Sequence, residues 1–131
     1  MNADELMIGD FVREIYSQKI IKVREIKQSC IYTTDNGYRY SEIEPISPTT
    51  EILEKNGFKR NKPYNYIYKD DYCEVCVSFV PKIKIDNIDL VEPTINVSIK
   101  GALFDINMTM SAIHELQQAL RLCGIEKEII L

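Results

Sequence analysis

The chain has 131 residues, 45% of them hydrophobic, with 16 basic and 20 acidic side chains and a net charge of −4. That length supports one core or two small ones, and the apolar content excludes wholesale disorder. The acidic balance lacks the strong positive field that sequence-independent nucleic-acid binding needs, and no apolar run is long enough to span a bilayer. Met1-Asn2-Ala3-Asp4-Glu5 is acidic where a secretory leader would be basic, so the expected compartment is the cytoplasm.

The first 48 residues read as short strands joined by tight turns. Leu6 to Val12 places a Gly9-Asp10 turn before the apolar pair Phe11-Val12, and Lys19 to Ile26 is a second β-rich stretch. Cys30 to Thr34 and Tyr38 to Ser41 flank Asp35-Asn36-Gly37, and Asn-Gly between β-prone runs predicts a hairpin turn with positive φ. Ile43-Glu44-Pro45-Ile46 follows as an exit strand. Strands this short and closely spaced predict an SH3-like small β-barrel over residues 1–48.

Pro45 and Pro48 mark a boundary. Beyond it, Thr49 or Thr50 caps a short helix through Asn56, with Glu51 in the first turn, Lys55 in the last, and Gly57-Phe58 as the stop. From Tyr64 to Ile106 the pattern is strand-like: Tyr64, Tyr66 and Tyr68 alternate with Asn65, Ile67 and Lys69, Asp70-Asp71 turns the chain, and Tyr72 to Val80 returns. Lys82 to Ile85 begins another strand, and Thr94 to Ile99 is joined to Ala102 through Ile106 by a turn at Lys100-Gly101. The last helix runs from about Ser111 to Cys123, capped by Thr109 or Ser111 and closed by Gly124-Ile125. Its stripe Ile113, Leu116, Leu120, Cys123 has helical period and should face the sheet. Residues 49–131 are therefore expected to form an α-β(3-4)-α unit with an antiparallel sheet, and the whole chain is classed α+β. The tail, Glu126 to Leu131, reads as a terminal strand or a docked end.

His114-Glu115-Leu116-Gln117-Gln118 reproduces four of the five positions of the zinc-metalloprotease helix signature. The missing one is a ligand: the motif needs histidines at i and i+4, and Gln118 stands at the second. The chain has no other histidine. His114, Gln118 and Arg121 share a polar helix face on which Arg121 could clamp an anion and Glu115 serve as a base; the plainer reading is a solvated surface. Cys73-x-x-Cys76 invites a metal or redox reading. Residues three apart on a strand point to opposite faces, however, so buried or half-buried thiols are expected.

Lys55, Lys59, Arg60 and Lys62 precede Tyr64, Tyr66 and Tyr68, cations beside rings, as single-stranded nucleic acid would require. The same residues also suit a tyrosine-edged core with lysines in its loops. Phosphate-binding glycine loops and nucleophile elbows are absent, so no catalytic residue, metal or cofactor is expected and the chain is read as a non-enzyme.

Glu5-Leu6-Met7-Ile8-Gly9-Asp10, Ile43-Glu44-Pro45-Ile46, Glu51 through Phe58, and His114-Glu115-Leu116-Gln117 with Ala119 through Ile125 resemble a family of small proteins from gut anaerobes of the Bacteroides group, often encoded near phage or mobile-element genes. Many of its members carry His at the position of Gln118. The resemblance implies a fold organisation and a mobile-element origin, and brings no activity. A binding or adaptor module acting on a protein partner is the reading that composition and fold analogy favour, nucleic-acid binding is the alternative, and exposed strand edges allow a homodimer.

Overall fold

The computed structural model describes all residues except Asp35, Pro81, Lys82, Asn87, Glu92 and Pro93, with the backbone alone at residues 83–85 and 88–91. The chain forms two compact units: Met1–Ser47 with Ala112–Glu126, and Pro48–Ser111 with Lys127–Leu131.

The first unit opens with a 3-10 turn (Ala3–Glu5). It continues through β1 (Phe11–Glu14), β2 (Ile20–Lys22), β3 (Glu25–Ile26), β4 (Cys30–Tyr32), β5 (Gly37–Arg39), a second 3-10 turn (Tyr40–Glu42) and β6 (Ile43–Glu44). These strands make two antiparallel three-stranded sheets, ordered β2-β1-β6 and β3-β4-β5. The expected SH3-like barrel does not form. After β2 the chain changes sheets within two residues: the Val23 amide donates to the Asp10 carbonyl at 2.9 Å, and the Arg24 amide to the Tyr32 carbonyl at 2.9 Å. With strands of two to four residues and a 3-10 turn between β5 and β6, the sheets stay separate. Val12, Ile21, Ile31 and Ile43 from the strands, with Leu6 and with Val23 from the link between β2 and β3, form one core.

The hairpin between β4 and β5 also departs from expectation. Gly37 does not have positive φ. Tyr32 pairs with Gly37, and the Thr33 amide closes the loop on the Asn36 carbonyl at 2.8 Å; Asp35 lies outside the described residues. Gly37 serves close approach instead, since a Cβ there would sit 2.8 Å from the Tyr32 ring.

The second unit begins with α1 (Thr50–Lys55), followed by β7 (Lys59–Lys62), β8 (Asn65–Lys69), β9 (Cys73–Val80), the hairpin strands β10 (Ile83–Ile85) and β11 (Ile88–Val91), β12 (Thr94–Gly101) and β13 (Asp105–Met110). Thr49 caps α1 by accepting from the Ile52 amide at 3.2 Å. Thr49→Ala should therefore cost about 1 kcal/mol in thermal or denaturant unfolding. Gly57, at φ 85°, lets the Phe58 amide reach back to the Leu53 carbonyl at 3.0 Å. The same closure recurs at the end of the last helix, α2 (Ile113–Leu122), where Gly124 precedes Ile125. Both stops are the glycine-plus-apolar endings expected of them.

The large sheet is antiparallel throughout, in the order β13-β12-β9-β8-β7. Its register sorts side chains by period two. One face carries Tyr66, Val75, Val77, Val97, Ile99 and Met110, and buries them. The other face forms cross-strand rows: Asn65, Ser78, Asn96 and Thr109; then Ile67, Cys76, Ser98 and Asn107; then Lys69, Glu74, Lys100 and Asp105, which alternate in charge. Opposed unlike charges across neighbouring strands favour this register. Before β9, Asp70 accepts from the amides of Tyr72 and Cys73, each at 2.8 Å. These two bonds, Tyr72 first, hold its carboxyl below the usual carboxylate range.

The C-terminal helix corrects the expected second unit. α2 belongs to the first unit and packs on β1, so residues 48–111 hold one short helix on a five-stranded sheet in place of an α-β(3-4)-α unit. The chain as a whole is mostly β. Neither Thr109 nor Ser111 caps α2. Thr109 lies within β13, the N-cap is Ala112 without a side-chain bond, and the Ile113 amide donates to the Ile46 carbonyl at 2.8 Å. Backbone from the β6 exit thus satisfies one of the orphan amides of the first turn. The tail docks in the second unit through Asn56. That side chain accepts from the Ile130 amide at 2.6 Å and donates to the Ile130 carbonyl at 2.8 Å, while Ile129 is buried. An amide side chain thereby supplies the pairing that a neighbouring strand would.

Candidate interaction surface

The basic and aromatic residues of 55–68 do not converge on one platform. The Lys55 ammonium donates to the Leu131 carbonyl at 2.9 Å, holding the tail. Lys59, Arg60 and Lys62 lie exposed along the edge strand β7, where a register shift separates Arg60 from Lys62. Tyr64 is exposed, but Tyr66 is buried and meets Phe79 edge-on at 5.9 Å between centroids. Tyr68 packs on Phe58 at 5.6 Å, with the Lys127 ammonium 5.5 Å from its ring centre. A base would have to displace these contacts to stack, so the rings serve the core and the cations guard a sheet edge. Of the other lysines that could have joined such a stripe, Lys82 is outside the described residues and the side chain of Lys84 is not described.

The polar face of α2 is not a solvated surface either. His114 is only 4% exposed, with Nδ1 buried and without a hydrogen-bond partner among the described residues. Gln118 and Arg121 turn onto Asp10, which has no exposed surface. Asp10 Oδ1 accepts from the Arg121 guanidinium at 2.6 Å, and Oδ2 accepts from the Gln118 amide at 2.7 Å and the Met7 backbone at 2.8 Å. Gln118 also donates to the Glu5 carbonyl at 2.8 Å. The neighbouring Gln117 accepts from the Phe11 amide at 2.9 Å and donates to the Gly9 carbonyl at 3.2 Å.

These contacts give the degenerate zinc signature its physical explanation. Gln118 is a hydrogen-bond donor to a buried carboxylate, so the position acts in folding and its amide is not turned toward an ion. Arg121 already holds its anion, Asp10. Among the described residues, no group of three or more His, Cys, Asp or Glu side chains could hold a metal. Cys73 is buried on the core face of β9 and Cys76 half-buried on the other, and no disulfide joins the four cysteines.

The surface that sequence reasoning passed over is the β1–β2 hairpin. Its loop is held by its own polar side chains: the Ser17 hydroxyl donates to Glu14 at 2.7 Å, the Gln18 amide to the Ile15 carbonyl at 2.7 Å, and the Lys19 backbone to Ser17 Oγ at 3.3 Å. The Gln18 backbone N–H closes on the Glu14 carbonyl at 2.9 Å, and Gln18 adopts φ 60°. Backbone from the 3-10 turn before β6 adds a further tie, as the Ile15 amide donates to the Glu42 carbonyl at 2.9 Å. The polar residues thus stabilise the loop while the apolar ones face water. Ile15 is 38% exposed, Tyr16 81% and Ile20 42%. The available signal was Ile15-Tyr16 standing in a turn whose other residues, Ser17 and Gln18, are of the ordinary polar kind.

A second feature is a hollow of about 450 Å³ on the polar face of the large sheet, lined by Ser78, Asn96, Ser98, Asn107 and Thr109 with Val97 and Met108. Among the described residues its lining offers hydroxyls and amides without a charge or a ring. No family model, curated protein or solved structure matches the chain. Among the described residues, no helix is long and apolar enough to cross a membrane.

Proposed function

We propose that the protein is a non-enzymatic binding module that engages a protein partner through the β1–β2 hairpin. The observation that supports this reading is the inverted polarity of the loop: Ser17 and Gln18 are bound to the hairpin itself, and Ile15, Tyr16 and Ile20 are left in water. Single exposed apolar residues are ordinary, but three on one hydrogen-bonded hairpin form a preorganised contact. Ordering the loop in advance lowers the entropic cost of docking it. Tyrosine at such a tip supplies large contact area with few rotatable bonds. The nucleic-acid alternative is weakened by the engaged Tyr66 and Tyr68 and by the net negative charge.

A photo-crosslinking residue placed at Tyr16 in the native host should capture a discrete protein adduct. The same residue at Tyr72, 86% exposed in the second unit, should not. With the crosslinking residue moved to position 20, Ile15→Ser with Tyr16→Ser should abolish the adduct, while changing stability by no more than about 0.5 kcal/mol per site. Identical adduct patterns from positions 16 and 72 would exclude the hairpin as the docking element.

A further inference from the structure

We infer that β13 is a dimerisation edge, taking as its partner the β13 strand of a second copy of this chain in antiparallel register centred on Asn107. The inference is independent of the hairpin and rests on the two edges of the five-stranded sheet. One edge, β7, is guarded by Lys59, Arg60 and Lys62 and by a register shift, the devices that keep a sheet edge from pairing further. The other edge, β13, carries none of them. Its six residues include no lysine, arginine or proline, its pairing with β12 runs without a shift, and among the described residues β12 is its one neighbouring strand.

The register identifies which backbone groups are open. The Gly101 amide donates to the Phe104 carbonyl at 2.9 Å, which makes that opposed pair a hydrogen-bonded one. Antiparallel pairs alternate between bonded and non-bonded. Counting along the ladder from Gly101 and Phe104, the pairs Ile99 with Ile106, Val97 with Met108 and Ile95 with Met110 bond across β12 and β13. The backbone groups of Asp105, Asn107 and Thr109 therefore point away from β12, toward the open edge, and all three residues are exposed.

An antiparallel pair centred on Asn107 sets Asn107 opposite its own copy and Asp105 opposite Thr109, so every outward-pointing group meets another. Shifting the centre to Met108 leaves Asp105 opposite Ser111 beyond the strand end, with fewer bonds made. The register centred on Asn107 is also chemically consistent. No carboxylate opposes its copy, because Asp105 faces Thr109. On the apolar face Ile106, 40% exposed, comes to lie opposite Met108, which extends the row begun by Ile99. On the polar face Asn107 meets Asn107, which extends the row of Cys76 and Ser98. The two five-stranded sheets would join as one, with their apolar and polar faces continuous across the seam.

Sedimentation equilibrium over a concentration series, combined with residue-resolved hydrogen exchange, tests this. The expected result is a mass that rises toward twice that of one chain. The amides of Asp105, Asn107 and Thr109 should gain protection with concentration, while those of Ile106 and Met108 stay protected throughout. Asn107→Pro removes an outward N–H without touching the β12 ladder, and should weaken association at least about tenfold. A chain that stays monomeric at the highest concentration overturns the proposal. So does a dimer in which Asp105, Asn107 and Thr109 exchange as fast as in the monomer. Because the exchange pattern is read on the unaltered protein, the test stands even if the proline variant folds poorly.

Discussion

Replacing Arg121 with alanine is expected to destabilise the first unit by about 3 kcal/mol. Breaking a buried ion pair from one side strands the other charge, at a typical cost of about 3–5 kcal/mol. The low end applies because Asp10 keeps two donors, the Met7 amide and the Gln118 side chain. Asp10, without exposed surface, cannot turn to water for compensation, whereas Arg121, one-third exposed, can. Removing both partners should therefore cost well under the sum of the single losses, since Asp10→Ala in the Arg121→Ala background removes the stranded carboxylate. A coupling energy of at least about 1 kcal/mol is expected in the double-mutant cycle. With two compact units in one chain, a single unfolding free energy is not assured. The measurement should accordingly be hydrogen exchange resolved over residues 1–47 and 112–126, with the second unit as internal control. Strictly additive single and double variants would show that the Asp10–Arg121 pair does not hold the unit together.

What was legible in the sequence was local. A cap at Thr49 or Thr50, Gly57-Phe58 and Gly124-Ile125 as helix stops, and the alternation of Cys73, Val75 and Val77 each depend on a few adjacent residues and on backbone geometry. What was not legible required knowing which distant segments meet. The polar face of α2 carries the period of a solvated surface, yet its partners lie at Glu5 through Phe11, more than a hundred residues earlier. A short carboxylate beside Gly9 and a donor-rich run at Gln117, Gln118 and Arg121 are compatible signals, but nothing local joins them. The tyrosines of β8 illustrate the converse: their alternation was readable, while their burial depended on Phe58 and Phe79 arriving from other elements. The barrel expectation failed on a similar point, because short strands specify hairpins without specifying whether the two sheets close.

Gln117→Leu separates burial from polar satisfaction as the source of stability in the first unit. Position 117 is only 6% exposed, flanked by the buried Leu116 and two residues short of Ala119, on a helix whose other buried residues, His114 apart, are apolar. If apolar burial were the controlling quantity, leucine of similar length would stabilise by something on the order of 1 kcal/mol. The glutamine, however, satisfies two backbone groups of the turn entering β1, the Phe11 N–H and the Gly9 carbonyl. Leucine can do neither, and each buried backbone group left without a partner costs about 1–3 kcal/mol. The polar loss exceeds the apolar gain, so the variant should lose about 2–4 kcal/mol, with exchange accelerated first at the amides of Gly9 through Phe11. Gln117→Glu supplies a discriminating control, since a carboxylate can still accept from Phe11 but cannot donate to Gly9 in its charged form. A leucine variant as stable as the parent, with unchanged exchange at Phe11, would mean that water or a rearranged turn replaces the amide and that this contact does not specify how the N-terminal turn sits on α2.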